Sequence, residues 1–373
     1  MSTLYAGSIC GTSLDGIDVA LVEFPDSNTS RVIHYDSVPL NDSLAAAMRA
    51  IVFDGQRCDA LTLGQLDQRF GVVIAEAILA LLKKHNVSAA HVKAIGSHGI
   101  NLLHAPDEEI PVTLQIGDPN QIARITNITT VADFRRRDVA LGGQGAPLAP
   151  AFHAAVMADK HETRVVLNLG GIANITVLEP GHPVIGFDTG PANGLLDAWY
   201  VEHHATENVA FDRNGAWGSC GTVNQVLLEA LASDDYFLRP PPKSTGKEHF
   251  NMAWLKGHLG SVKGPLKAQD VQTTLAELTA LTVCNSIKSH CPDVASLLVC
   301  GGGAHNENLM TRLRGHLPSA TVSTTEPFGV APDHVEAAAF AWLAKRTLEH
   351  ASGNLASVTG AAKNSILGGV YFA

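Results

Sequence analysis

Apolar residues crowd the start of the chain in two runs, LYAGSIC (4–10) and VALVEF (19–24), separated by the polar stretch GTSLDGID (11–18). That pattern predicts strand, turn, strand, and RVIHYDSVPL (31–40) supplies a third strand of the same antiparallel meander. From 61 to 85 the period lengthens. Leu63, Leu66, Phe70, Val73, Ile74, Ala77, Ile78 and Leu81 recur at helical spacing, and the segment ends in a basic turn. VKAIGSHG (92–99) and ITTVADF (128–134) read as further buried strands.

The second half repeats this order. VVLNLGGIANITVL (165–178) is apolar, glycine turn, apolar, and PVIGFDTG (183–190) is a third strand. Helices over GLLDAWYVEHH and DVQTTLAELTALTVCNSIKSH, strand ASLLVC (295–300), a glycine loop, helix NLMTRLRGHL and strand ATVSTT follow. Three strands, then helix and strand, appear twice: a duplicated architecture without a residue-level repeat. GGQGAPLAP (142–150), rich in Gly and Pro, is the expected linker.

Composition narrows the class. A chain of 373 residues exceeds the size at which one core stops growing, so two domains are expected. With 46% hydrophobic and 17% charged residues it reads as an ordinary globular protein. A net charge of −10 argues against nucleic acid or an anionic membrane as partner. The six cysteines are scattered without a CxxC pair, which suggests neither zinc nor a disulfide framework. No signal-peptide pattern or membrane-span run of apolar residues occurs, so a cytoplasmic location is expected.

Several loops carry candidate chemistry. In GTSLDGID, Gly11 and Gly16 permit backbone conformations that turn N–H groups toward an anion, and Thr12 and Ser13 add hydroxyl donors. Asp15 and Asp18 would repel a bare phosphate but suit one that carries a hydrated Mg²⁺. A plain tight hairpin is the alternative. Asn168, Gly170 and Gly171 form a similar turn in the second half, and Gly301-Gly302-Gly303 lets backbone approach a flat ligand such as adenosine, with Asn306 a candidate helix N-cap. Asp188 ends an apolar strand before Thr-Gly-Pro. It is either a carboxylate desolvated into a useful base or one that orders the following helix. Asp197 stays open between the two.

The run Arg135-Arg136-Arg137 with Asp138 is either a solvated corner or an anion fork beside a sugar-hydroxyl acceptor. PPKSTGKEHFN (241–251) is a basic loop, lid or plain surface. His98 and His104 lack zinc-helix spacing. Glu336 is either a first-turn carboxylate favoured by the helix dipole or a group facing a cleft.

Paired phosphate hairpins and a late GGG loop resemble the superfamily of actin, hexokinases and heat-shock chaperones. More narrowly, GTSLDGID, SHG, DFRRRDVALGGQGAPLAPAFH, LNLGGIAN, FDTGPAN, PKSTGKEHFN, DVQTTLAELTA, VCGGGAHN, EAAAFAWLA and SVTGA are similar, in order and from end to end, to the anhydro-N-acetylmuramic acid kinases. The resemblance implies two ribonuclease H-like α/β domains with mixed five-stranded sheets flanked by helices and an active site in the interdomain cleft. Residues 1–140 plus about 345–373 would form one domain and 141–344 the other, with the helix after Val335 packing back toward the first.

It further implies that ATP and water open the 1,6-anhydro ring of 1,6-anhydro-N-acetylmuramic acid, giving N-acetylmuramic acid 6-phosphate and ADP in cell-wall recycling, by a homodimer using Mg²⁺. On this resemblance Gly11, Thr12, Ser13, Leu14, Asp15, Gly16, Ile17 and Asp18 bind ATP together with Asn168, Gly170, Gly171, Gly301, Gly302, Gly303 and Asn306. Asp15 and Asp18 reach the metal through water, Asp188 is the base, and His98, Arg136, Asp138 and Glu336 meet the sugar. The chain departs from the family pattern at Ile100-Asn101, where Gln and Thr are usual, at Ala192 for Gly, and at Ile9-Cys10 for Met-Ser. A conventional hexose kinase and an ATP-driven binding protein of the chaperone type are the competing readings.

Overall fold

A computed structural model describes residues 3–11, 14–26, 28–52, 58–205, 209–260 and 262–373. The chain forms two compact units, one of residues 1–156 with 328–373 and the other of 157–327.

In the first unit, β1 (Leu4–Cys10), β2 (Gly16–Glu23) and β3 (Arg31–Pro39) form the expected meander, with β4 (Val92–Ser97) and β7 (Thr130–Ala132) continuing parallel to β1. β5 (Ile100–Ala105) and β6 (Val112–Ile116) make a separate hairpin. The main sheet has six strands rather than five, because β13 (Gly369–Tyr371) adds antiparallel to β7. Three residues at the end of a chain are too few to display a period-two pattern, so the sequence hides this edge.

Helix Ala60–Lys84 starts where Asp59 Oδ1 accepts the Thr62 N–H at 2.7 Å and buries Leu66, Phe70, Ile74, Ile78 and Leu81 along one stripe. Burial of each such side chain contributes about 1.5–3 kcal/mol. The opposite face is built on close approach. Gly7 on β1 and Gly96 on β4 are register partners, and a Cβ on either would lie 1.9 Å from a carbonyl of helix Val335–Leu348, at Ala337 and Phe340 respectively. Two missing side chains therefore let an alanine-rich helix rest directly on the sheet.

That contact places helix Val335–Leu348 in the first unit, as its expected return implies, and helix Ala149–Met157 belongs almost wholly there too. The chain thus passes from one unit to the other at Met157 and back at Phe328, whereas the sequence suggested breaks after 140 and 344. The reason is local: Gln144 donates its N–H to the Thr359 carbonyl at 2.7 Å, and the glycine-rich stretch expected as a linker folds back onto the first unit.

The second unit repeats the order with five strands. β8 (Arg164–Leu169), β9 (Ile172–Leu178) and β10 (Ile185–Pro191) are antiparallel, and β11 (Ser296–Cys300) and β12 (Thr321–Thr324) run parallel to β8. The sheet order, β10-β9-β8-β11-β12, mirrors β3-β2-β1-β4-β7. Helix Ala268–His290 buries Val271, Leu275, Leu278, Val283 and Ile287 in the core of this unit. No helix among the described residues is long and apolar enough to cross a membrane.

Candidate active site

Asp188 lies on β10 opposite Asn174, and the ladder slips between Asp188 and Gly190. A bulge of this kind re-aims a side chain at the end of a strand. Gly190 permits it: φ is +145°, and a Cβ there would meet the Phe237 ring at 2.7 Å. The Asp188 backbone is clamped on both sides, its N–H donating to the Lys243 carbonyl at 3.2 Å and its carbonyl accepting the Tyr236 hydroxyl at 2.7 Å. Its Oδ2 accepts the Thr245 N–H at 3.0 Å. Burial pushes the carboxyl pKa up to about 6; the Thr245 hydrogen bond opposes this, Glu248 adds to it and Lys243 subtracts. The result is a fixed carboxylate, ionised at neutral pH and more basic than an ordinary aspartate.

The β8–β9 turn sits beside it in the same unit. The carbonyls of Gly170 and Gly171 accept the N–H groups of Asn193 and of Ala192 and Gly194, so the start of helix Asn193–His203 is bound to the turn. Asn193 Nδ2 donates to the Leu169 carbonyl at 2.8 Å. In the loop after β11, a Cβ on Gly301 would lie 2.4 Å from Asn168 Oδ1 and one on Gly303 2.5 Å from Leu169 Cβ. Gly302 is different: it is exposed and meets nothing closer than Asn193 Nδ2 at 3.9 Å. Two of the three glycines thus serve packing and the middle one leaves an open backbone cradle. Asn306 caps helix Glu307–His316, its Oδ1 accepting the Leu309 N–H at 3.1 Å.

In the β1–β2 turn of the first unit, Thr12 and Ser13 lie outside the described residues. Leu14 and Ile17 put their side chains into the core, so only their main chain can face a ligand. Leu14 takes a left-handed φ of +59° and donates its N–H to the Gly11 carbonyl at 3.1 Å. Asp15 is exposed with Arg49 at 3.9 Å, while Asp18 is half-buried and accepts the Tyr35 hydroxyl at 2.7 Å. Among the described residues no three His, Cys, Asp or Glu side chains group to hold a metal. Such a sparse donor set would fit only a Mg²⁺ that keeps most of its own waters, with Asp15 and Asp18 the carboxylates to hold it.

Around Asp138 the structure sorts the charged corner into distinct tasks. Asp138 is fully buried, and its carboxylate accepts the Gly145 N–H at 2.8 Å, the Thr359 hydroxyl at 2.8 Å and the Asn354 amide. A group so enclosed is a strut holding the glycine loop to the C-terminal segment, not a free acceptor for sugar hydroxyls. Arg136 is exposed and pairs with Asp133 at 3.1 Å.

Arg135 is the arginine held in place. Its Nε donates to His98 Nε2 at 3.0 Å and its Nη1 to the Gly145 carbonyl at 2.9 Å. Burial and then the Arg135 charge hold His98 well below the usual imidazole range. It is therefore neutral, with Nδ1–H facing the Gly99 carbonyl at 3.3 Å, and both ring nitrogens are engaged. His98 thus orients Arg135. Glu336, in the first turn of helix Val335–Leu348, keeps a solvent-accessible carboxylate, yet the surrounding protein atoms and then the Asp18 charge push its pKa up while Arg135 opposes them.

Sequence reasoning missed Thr245, Tyr236 and Lys243 around Asp188. The 241–251 loop drew attention to the segment of Lys243 and Thr245 but not to their contacts, and Tyr236 lies outside it; two of the three contacts to Asp188 are made by backbone atoms that any residue carries. Thr359 lies in the SVTGA segment, but nothing there pointed to Asp138 some two hundred residues away, and Asn354 left no signal.

The sequence has relatives. The family model for anhydro-N-acetylmuramic acid kinase matches residues 3–373. A curated anhydro-N-acetylmuramic acid kinase from Photobacterium profundum is 48% identical over 374 residues, covering 98% of this chain and 98% of that protein. One from Coxiella burnetii (strain RSA 493 / Nine Mile phase I) is 48% identical over 370 residues, covering 99% and 97%. Another, from Xylella fastidiosa (strain Temecula1 / ATCC 700964), is 46% identical over 373 residues, covering 99% and 96%. With a full-length family match and near-complete mutual coverage, the chain belongs to the anhydro-N-acetylmuramic acid kinase family.

Proposed function

We propose that the protein uses ATP and water together to open the 1,6-anhydro ring of 1,6-anhydro-N-acetylmuramic acid, releasing N-acetylmuramic acid 6-phosphate and ADP. The observation that carries this reading is the clamped Asp188 carboxylate, with Oδ2 held by the Thr245 N–H and a pKa raised to about 6. An anhydro sugar has no free 6-hydroxyl, so a base has no proton to remove from the oxygen that is phosphorylated. Asp188 takes the proton of a water instead, the water oxygen bonds to C1, the C1–O6 bond breaks, and O6 takes the γ-phosphoryl group of ATP. Atoms balance: the water oxygen and one of its protons stay on C1 as the new hydroxyl, and the other proton leaves with Asp188.

The turn at Gly170 and Gly171 and the open backbone at Gly302 offer donors and room for the nucleotide. When bound, Mg²⁺ supplies charge neutralisation on the phosphates, and Asp15 and Asp18 are the carboxylates suited to its water shell. Arg135, oriented by His98, and the exposed Arg136 suit the lactyl carboxylate of the sugar. Action in the cytoplasm, where the six cysteines stay reduced, and assembly as a homodimer complete the reading.

Mass analysis of the product formed in ¹⁸O-water tests it. Label at the C1 hydroxyl is expected. Unlabelled product, or phosphorylation only of sugars with a free 6-hydroxyl, overturns it in favour of a conventional hexose kinase.

A further inference from the structure

The basic loop 243–248 links the candidate base to the glycine turn. Lys243 and Thr245 hold Asp188, as described above, and two residues on, Lys247 reaches the β8–β9 turn. Its Cε lies 3.7 Å from where a Cβ on Gly171 would sit, with no other atom within 4 Å. The Lys247 carbonyl accepts the Asn251 Nδ2 amide at 3.1 Å, and Asn251 caps helix Met252–Leu259, so the backbone that carries the lysine is anchored.

We propose that Lys247 is a binding residue for the phosphate chain of the nucleotide at the Gly170–Gly171 turn. The proposal rests on the kinase reading above and goes beyond it by naming the cation. Among the described residues, Lys247 is the cationic side chain that lies against Gly171. The first N–H groups of helix Asn193–His203 are already bonded to the carbonyls of the turn. Lys243 is engaged too, its ammonium donating to the carbonyls of Tyr236 at 3.2 Å and Phe237 at 3.4 Å.

Lys247 is exposed, and among the described residues no carboxylate lies within ion-pair distance of it; its charge acts on Asp197 from farther off. Asp197 is half-buried, and burial and the Asp212 charge raise its pKa to about 7 against the pull of Lys247. A carboxyl that ionises so reluctantly holds a lysine weakly, which leaves the ammonium available to an anion.

Calorimetric titration of the full chain with MgATP, ADP and adenosine, on the native protein, K247M and K247R, tests this. Loss of one charge-assisted contact to phosphate should weaken ATP and ADP binding to K247M by roughly tenfold or more. Adenosine affinity should be unchanged, and K247R should recover most of the loss. K247M that binds ATP as tightly as the native protein, or that loses ATP and adenosine equally, overturns the role of Lys247. Failure of the native protein to bind any adenine nucleotide would instead sink the kinase reading itself.

Discussion

The backbone N–H of Thr245 donates to Oδ2 of Asp188 across 57 positions of sequence, at 3.0 Å. This bond stabilises the ionised carboxylate, yet burial outweighs it and leaves the pKa at about 6. A base must be deprotonated to act, so kcat/KM should fall as pH drops through about 6, with a limiting slope of one on a logarithmic plot. A profile flat down to about pH 4.5 would exclude Asp188 as the titrating base.

The two charges that face Asp188 push that limb in opposite directions. Glu248 raises the pKa and Lys243 lowers it. Glu248→Gln should therefore move the acid limb to lower pH and Lys243→Met to higher pH. Measured pH–rate profiles in which both variants shift the same way would contradict this electrostatic account.

The three consecutive glycines make a prediction that separates folding from binding. Gly301→Ala faces Asn168 Oδ1 at 2.4 Å with a φ of +78°, and Gly303→Ala faces Leu169 Cβ at 2.5 Å. Each should destabilise the protein by about 1–3 kcal/mol in urea unfolding. Gly302→Ala has room and should unfold like the native protein, while its ATP affinity drops. Wild-type ATP binding by Gly302→Ala would remove the cradle from the nucleotide site.

Asp138→Ala strips partners from a buried N–H, a buried amide and a buried hydroxyl at once. Leaving such donors unsatisfied costs about 1–3 kcal/mol each before relaxation, so unfolding should show a loss of roughly 3 kcal/mol or more. A variant of native stability with impaired sugar binding would restore the reading of Asp138 as a substrate contact.

Asp197 gives a pH-dependent stability test. Its folded pKa of about 7 exceeds the ordinary aspartate value of 3.8, so folding disfavours its charged form. The folded state then binds the extra proton, and stability falls as pH rises from about 4 to 7 and stays reduced above that. Asp197→Asn should gain about 1–3 kcal/mol at about pH 8, a gain that vanishes near about pH 4. Equal stability of the two proteins on the alkaline side would contradict the shift.

What the sequence made legible was local. Alternating apolar runs around GTSLDGID and LNLGGIAN announced both glycine hairpins, and the strand leading to Asp188 marked the candidate base, because period and turn chemistry are written in neighbouring residues. The rest depends on contacts between distant segments. Arg135 rather than Arg136 is the oriented guanidinium because His98 and the Gly145 carbonyl meet it, and Asn354 and Thr359 help to close over Asp138. Gly7 and Gly96 look unremarkable until the register of β1 and β4 sets them side by side under a helix.

The role of Asp188 is tested most directly by Asp188→Asn, assayed for turnover of 1,6-anhydro-N-acetylmuramic acid with nucleotide binding followed on the same sample. Loss of a positioned base should cut turnover by roughly 10²–10⁴-fold while MgATP affinity stays at the native value. Turnover within a few fold of the native enzyme would contradict the assignment.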